Sequence, residues 1–82
     1  MKKILRFTAS WCQPCKGLAM TLANIETNIP IEVVDIDVHS EIATEYVIRS
    51  VPTLVMVEDN IEVKRMTGSQ PENTIREWIE TQ

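Results

Sequence analysis

Two periods of apolar spacing divide this 82-residue chain into short elements. Met1 to Thr8 (MKKILRFT) has the apolar content of a strand, and Ser10 to Cys12 leads out of it. From Pro14 onward Leu18, Ala19, Leu22, Ile25 and Ile29 recur at helical spacing, with Lys16, Asn24 and Asn28 elsewhere on the wheel. Pro14 falls in the first turn, where a helix tolerates proline, and Pro30 forbids continuation. Ile31 to Val38 (IEVVDIDV) is β-branched with partial alternation and predicts a strand. Ser40 can cap a short helix with Ile42, Ala43, Tyr46 and Val47 on one side.

After Pro52, Thr53 to Val57 is a second β-rich run, Asp59-Asn60 signals a turn, and Ile61 to Met66 returns as the other arm of a hairpin. Gly68 ends that strand. Ser69-Gln70-Pro71-Glu72 then reads as a capping box ahead of a helix that buries Ile75, Trp78 and Ile79. The order is β-α-β-α-β-β-α, an α/β chain. Its leading β-α-β unit implies parallel strands, and the hairpin adds antiparallel ones. A four-stranded mixed sheet with helices on both faces is expected, as one domain over residues 1–82.

Charge narrows the partners. The net charge is −4, and the basic residues are scattered without an aromatic-basic stripe, so a nucleic-acid-binding face is disfavoured. Lys2 and Lys3 precede an apolar stretch too short for a signal-peptide core or a membrane span. The chain reads as cytoplasmic, with no membrane partner and monomeric by default.

Cys12 and Cys15 change the picture most. A disulfide across so short a loop would contribute roughly 2 kcal/mol at best in the chain-entropy model, so the pair is a poor structural staple. A zinc site needs about four ligands, and only His39 and scattered carboxylates remain to complete it; no metal is expected. Redox chemistry is the reading a C-x-x-C pair suggests. On the first turn of a helix, residues i and i+3 share a face, within the Cα separation a disulfide needs. Free backbone N–H groups and the positive helix end favour a thiolate there. Cys12, at the very end, is expected to be exposed and nucleophilic, and Cys15, a turn deeper, to resolve the mixed disulfide.

Trp11-Cys12-Gln13-Pro14-Cys15-Lys16 at a strand-to-helix junction, followed about 40 residues later by Val51-Pro52-Thr53, resembles the thioredoxin family over essentially the whole chain. The outline is closer to short thioredoxins, of the phage and archaeal type, that lack an N-terminal strand and helix, and to glutaredoxins in size. The resemblance implies a minimal thioredoxin fold and protein disulfide reductase activity. It implies no cofactor beyond the Cys12–Cys15 couple, with electrons from an external thioredoxin reductase. Pro52 is then the cis-proline facing the cysteines, leaving Val51 backbone groups for an extended substrate. Trp11 shields the disulfide and, with Gln13 and Pro14, borders the substrate. Gly68 lines the same groove, where a side chain would obstruct the partner.

One position departs from the family. Thioredoxins commonly carry a buried aspartate six residues before the first cysteine; here that residue is Arg6. A guanidinium near the sulfurs would stabilise thiolates and make the pair more oxidising. The alternative is that Arg6 snorkels to solvent. Lys16 is a second candidate for thiolate stabilisation. Two rival functions stay open: a glutaredoxin-like, glutathione-linked reductase, and a non-catalytic accessory module on the same fold. Asp35 and Asp37 read as strand-end and turn residues without a partner, and His39 as a surface residue.

Overall fold

The computed structural model describes residues 1–81. Four strands, β1 (Lys2–Thr8), β2 (Ile31–Asp35), β3 (Thr53–Glu58) and β4 (Ile61–Thr67), form one sheet in the order β2-β1-β3-β4. β1 runs parallel to β2 and antiparallel to β3, and β3 is antiparallel to β4. The helices are α1 (Gln13–Ala23), α2 (Ser40–Glu45) and α3 (Glu72–Glu80). The element order and the mixed sheet are those the apolar pattern predicts.

Strand alternation splits the core into two layers. Ile4, Leu54 and Met56 point to one face and pack with Leu18 and Leu22 of α1 and Ile75 and Ile79 of α3. Leu5, Phe7, Val34, Val55 and Val57 point to the other, where Ile42 and Ala43 of α2 cover them. β3 lies between two strands and two helical layers, which is why Thr53 to Val57 is buried throughout and reads as an unbroken apolar run. Each such side chain contributes about 1.5–3 kcal/mol on burial.

Five local expectations are corrected. α1 stops at Ala23 rather than running to Pro30: Asn24 and Ile25 donate to Thr21 and Leu22, tightening the last turn, and Thr27 Oγ1 accepts from Ile29 N–H. Ile25 still reaches the core, but from a loop. β2 ends at Asp35, three residues short of Val38, because the chain turns there through hydrogen bonds from Val38 and His39 N–H to the Asp35 carbonyl.

The N-cap of α2 is His39, without a side-chain bond, and Ser40 is already helical. Val47 leaves the buried side of α2. Its φ is +53° and it is exposed, at the left-handed position that follows a helix. Val47 N–H donates to Thr44 and Ile48 N–H to Ala43, the paired bonds of a Schellman ending. The capping box before α3 does not form. Pro71 is the N-cap, accepting from Ile75 N–H, while the Gln70 side chain turns back to the Thr67 carbonyl.

The hairpin behaves as its sequence asks. Asp59 and Asn60 both take positive φ, +53° and +70°, the geometry that matches the twist of paired strands. A bulge in β4 opposite Met56 and Val57 brings Glu62 and Arg65 to one face. Arg65 grips Glu62 through two nitrogens, at 2.6 and 2.7 Å, and donates to the Tyr46 carbonyl at 2.7 Å, tying the hairpin to the end of α2. That pairing holds the Glu62 carboxyl below its ordinary range and raises Arg65. On the opposite face Lys64 donates to the Trp78 and Thr81 carbonyls, satisfying the end of α3.

Candidate functional site

The parallel β1–β2 pair ends at Thr8 and Asp35, and the chain leaving β1 makes a short turn that starts α1 at Gln13. Cys12 is the N-cap. Its backbone is extended (φ −96°, ψ 106°), its N–H donates to Ala9, and its Sγ accepts from Cys15 N–H at 3.2 Å. A sulfur thus occupies the capping position normally taken by a hydroxyl or carboxylate oxygen. There the unpaired N–H groups and dipole of α1 favour negative charge on Cys12. Cys12 and Cys15 are joined as a disulfide with a Cα separation of 5.3 Å.

Accessibility follows the expected order but not the expected degree. Cys12 retains only 4% of its surface and Cys15 1%. Ala9, Ile36 and Val51 pack around the pair and cover what the helix end alone would leave open. The expectation of an exposed Cys12 is corrected accordingly: its side chain is covered.

The Val51-Pro52 segment packs against the cysteine pair, and its peptide bond is cis. The Val51 carbonyl oxygen lies 3.8 Å from Cys12 Sγ. Thr53 Oγ1 donates to the Ser50 carbonyl at 2.8 Å, pinning the turn from the other side. Gly68 joins through its N–H, which donates to the Pro52 carbonyl at 2.8 Å, with φ at +86°. A Cβ on Gly68 would meet no protein atom within 4 Å. Within the chain, therefore, glycine is required by backbone conformation and not by crowding.

Trp11, directly before Cys12, is two-thirds exposed. Its indole Nε1–H donates to Asp37 Oδ2 at 2.9 Å, and Asp37 N–H donates to Asp35 Oδ1 at 2.8 Å. Asp37 is therefore a site residue that sequence reasoning passed over as partnerless. The two residues are far apart in sequence, and only the β1–β2 pairing brings them together. Gln13 and Pro14 occupy the first two positions of α1 and are exposed beside the disulfide.

On the α1 side of the sheet an open cavity of about 250 Å³ reaches Cys15 from behind. Arg6, Lys16 and Asp35 supply its charges. Arg6 is half-buried, and desolvation lowers its pKa. Arg6 and Cys15 thus line the same cavity.

The chain is similar to known proteins in sequence and in fold. The family model described as Thioredoxin matches residues 1–81. Thioredoxin H-type 1 of Nicotiana tabacum is 36% identical over 72 residues, covering 84% of this chain and 57% of that protein. A thioredoxin of Staphylococcus aureus is 32% identical over 82 residues, covering 95% and 79%. Among solved structures, a mutant thioredoxin from Halobacterium salinarum superposes with a TM-score of 0.89 at 31% identity, covering 96% of this chain and 72% of that one. The chain spans little more than half the length of the plant relatives it matches. With a disulfide at the head of α1, a cis-proline against it and a family match from end to end of the described residues, the chain belongs to the thioredoxin family.

Proposed function

We propose that this chain is a thioredoxin-type protein disulfide oxidoreductase whose working couple is Cys12–Cys15. The observation that carries the reading is the placement of Cys12 Sγ. It caps α1, accepts the Cys15 N–H and lies 3.8 Å from the Val51 carbonyl oxygen. A sulfur so placed is electrostatically suited to be a thiolate and geometrically suited to meet an extended strand lying along Val51-Pro52.

In the reaction, the Cys12 thiolate attacks one sulfur of a substrate disulfide. The Cys12–substrate bond forms, the substrate disulfide breaks, and its other sulfur leaves as a thiolate. Cys15 then loses its proton to solvent and attacks Cys12 Sγ. The Cys12–Cys15 bond forms, the bond to substrate breaks, and the second substrate sulfur departs with its electron pair. Two electrons have moved from chain to substrate. A dithiol-donating reductase would return them. Trp11, oriented by Asp37, together with Gln13, Pro14, Val51, Pro52 and Gly68, provides the docking surface for disulfide-containing protein substrates.

The test is dithiothreitol-driven reduction of insulin disulfides, with Cys12→Ser as control. Acceleration by the native chain that disappears in the variant is expected. No acceleration by the native chain would overturn the reductase reading.

A further inference from the structure

Resolution of the mixed disulfide requires an ionised Cys15, yet Cys15 is 1% exposed and packed against Ala9 and Val51. Burial of that kind favours the neutral thiol and raises its pKa. Something must offset it for the second half of the reaction to run at neutral pH.

The cavity behind the disulfide holds the groups that can do so. Charged residues facing it are Arg6 from β1, Lys16 from α1 and Asp35 at the end of β2. β3 contributes none, since Thr53 to Val57 is uncharged. Among the described residues Arg6 and Lys16 make no ion pair, and the one carboxylate lining the cavity, Asp35, offsets only one of the two cations. Asp35, by contrast, already accepts the Asp37 N–H through Oδ1. The cavity therefore carries a net positive charge beside a sulfur that must become negative.

We propose that Arg6 is a positioning residue for Cys15: its guanidinium stabilises the Cys15 thiolate, so that a cation performs from β1 the task that a proton-accepting carboxylate could perform from the same place. The inference rests on the reading of Cys12–Cys15 as a working couple. The mixed disulfide joins Cys12 to the substrate while Cys15 is a free thiol. Cys15 releases its proton to solvent through the open cavity, and Arg6 lowers the energy of the resulting anion without taking up the proton. The anion then displaces substrate from Cys12 as above. Stabilising a thiolate favours the reduced state, which makes the couple more oxidising than one with an uncharged residue at position 6.

The experiment titrates Cys15 by ultraviolet thiolate absorbance in a Cys12→Ser chain, where it is the only thiol. Adding Arg6→Gln is expected to raise the midpoint by about one pH unit, a tenfold loss of thiolate below it, the low end of what a nearby opposite charge produces. Arg6→Lys should restore most of the shift, which a merely structural role would not. Asp35→Asn, which removes the cavity's carboxylate, should move the midpoint down. An unchanged midpoint on Arg6→Gln, or no restoration by lysine, would overturn the proposal. No turnover is involved, so that failure is distinguishable from failure of the insulin assay.

Discussion

Replacing Gly68 with alanine separates two reasons for a glycine beside the cis-proline. The first is conformational. Gly68 holds φ at +86° while its N–H reaches the Pro52 carbonyl at 2.8 Å. An L side chain in left-handed backbone costs about 1–2 kcal/mol. Alanine also restricts the unfolded chain, which returns about 0.4–1 kcal/mol. No steric term is added, because the new Cβ meets nothing within 4 Å. The net loss is about 1 kcal/mol, or about 4–8 °C in Tm for a domain of this size. The second reason is the groove, where a methyl group would stand in the path of a docked strand. Urea unfolding of the oxidised chain reads the first, and reduction of insulin against reduction of a small aromatic disulfide reads the second. Stability should fall as stated, and turnover should fall for insulin but not for the small disulfide. Unchanged stability would refute the conformational reason, and equal loss on both substrates would refute the groove.

Val47→Gly should act in the opposite sense, gaining about 0.5–1 kcal/mol in urea unfolding. A β-branched residue sits at φ +53° with an exposed side chain, so relief of strain outweighs the added freedom of the unfolded chain. Glu62→Gln should cost about 0.5 kcal/mol at pH 7, since the pair with Arg65 is partly exposed. The Glu62 carboxyl is depressed by the hydrogen bond from Arg65, so its contribution is full above the ordinary carboxylate pKa and disappears as pH falls through the folded value. Native and variant stabilities measured against pH should therefore converge in acid. Asp37→Ala should free the Trp11 indole, seen as faster solvent exchange of its N–H by NMR, and slow insulin reduction several-fold while leaving stability within about 1 kcal/mol.

Much of the fold was legible because burial follows a short period. β3 read as an apolar run since it is covered on both faces, and Asp59-Asn60 read as a turn since both residues tolerate positive φ. Element ends were less legible. The apolar spacing of α1 continues through Ile25 although the helix stops at Ala23, because a loop can fill the same core position as another helical turn. Val47 was misplaced for a related reason: nothing in a valine announces the left-handed residue of a Schellman ending.

At the site, Cys12 and Cys15 stood out through residue type and spacing, and Pro52 through the resemblance to the thioredoxin family. Asp37 did not, since its role exists only once β1 and β2 align and bring Trp11 within 2.9 Å. The low exposure of Cys12 was hidden likewise, because Val51 and Ile36 cover it from distant parts of the chain. For Arg6 the sequence offered two orientations; the structure places the residue half-buried in the lining of a cavity that also reaches Cys15.

The mechanism stands on an order of events in which Cys12 attacks and Cys15 resolves. That order is open to trapping: a Cys15→Ser chain is incubated with an oxidised protein substrate, and the adduct is located by mass spectrometry of proteolytic fragments. A stable mixed disulfide on Cys12 is expected, with a Cys12→Ser chain forming little or none through Cys15. An adduct that forms as readily on Cys15 of the Cys12→Ser chain, or on neither cysteine, would overturn the assignment.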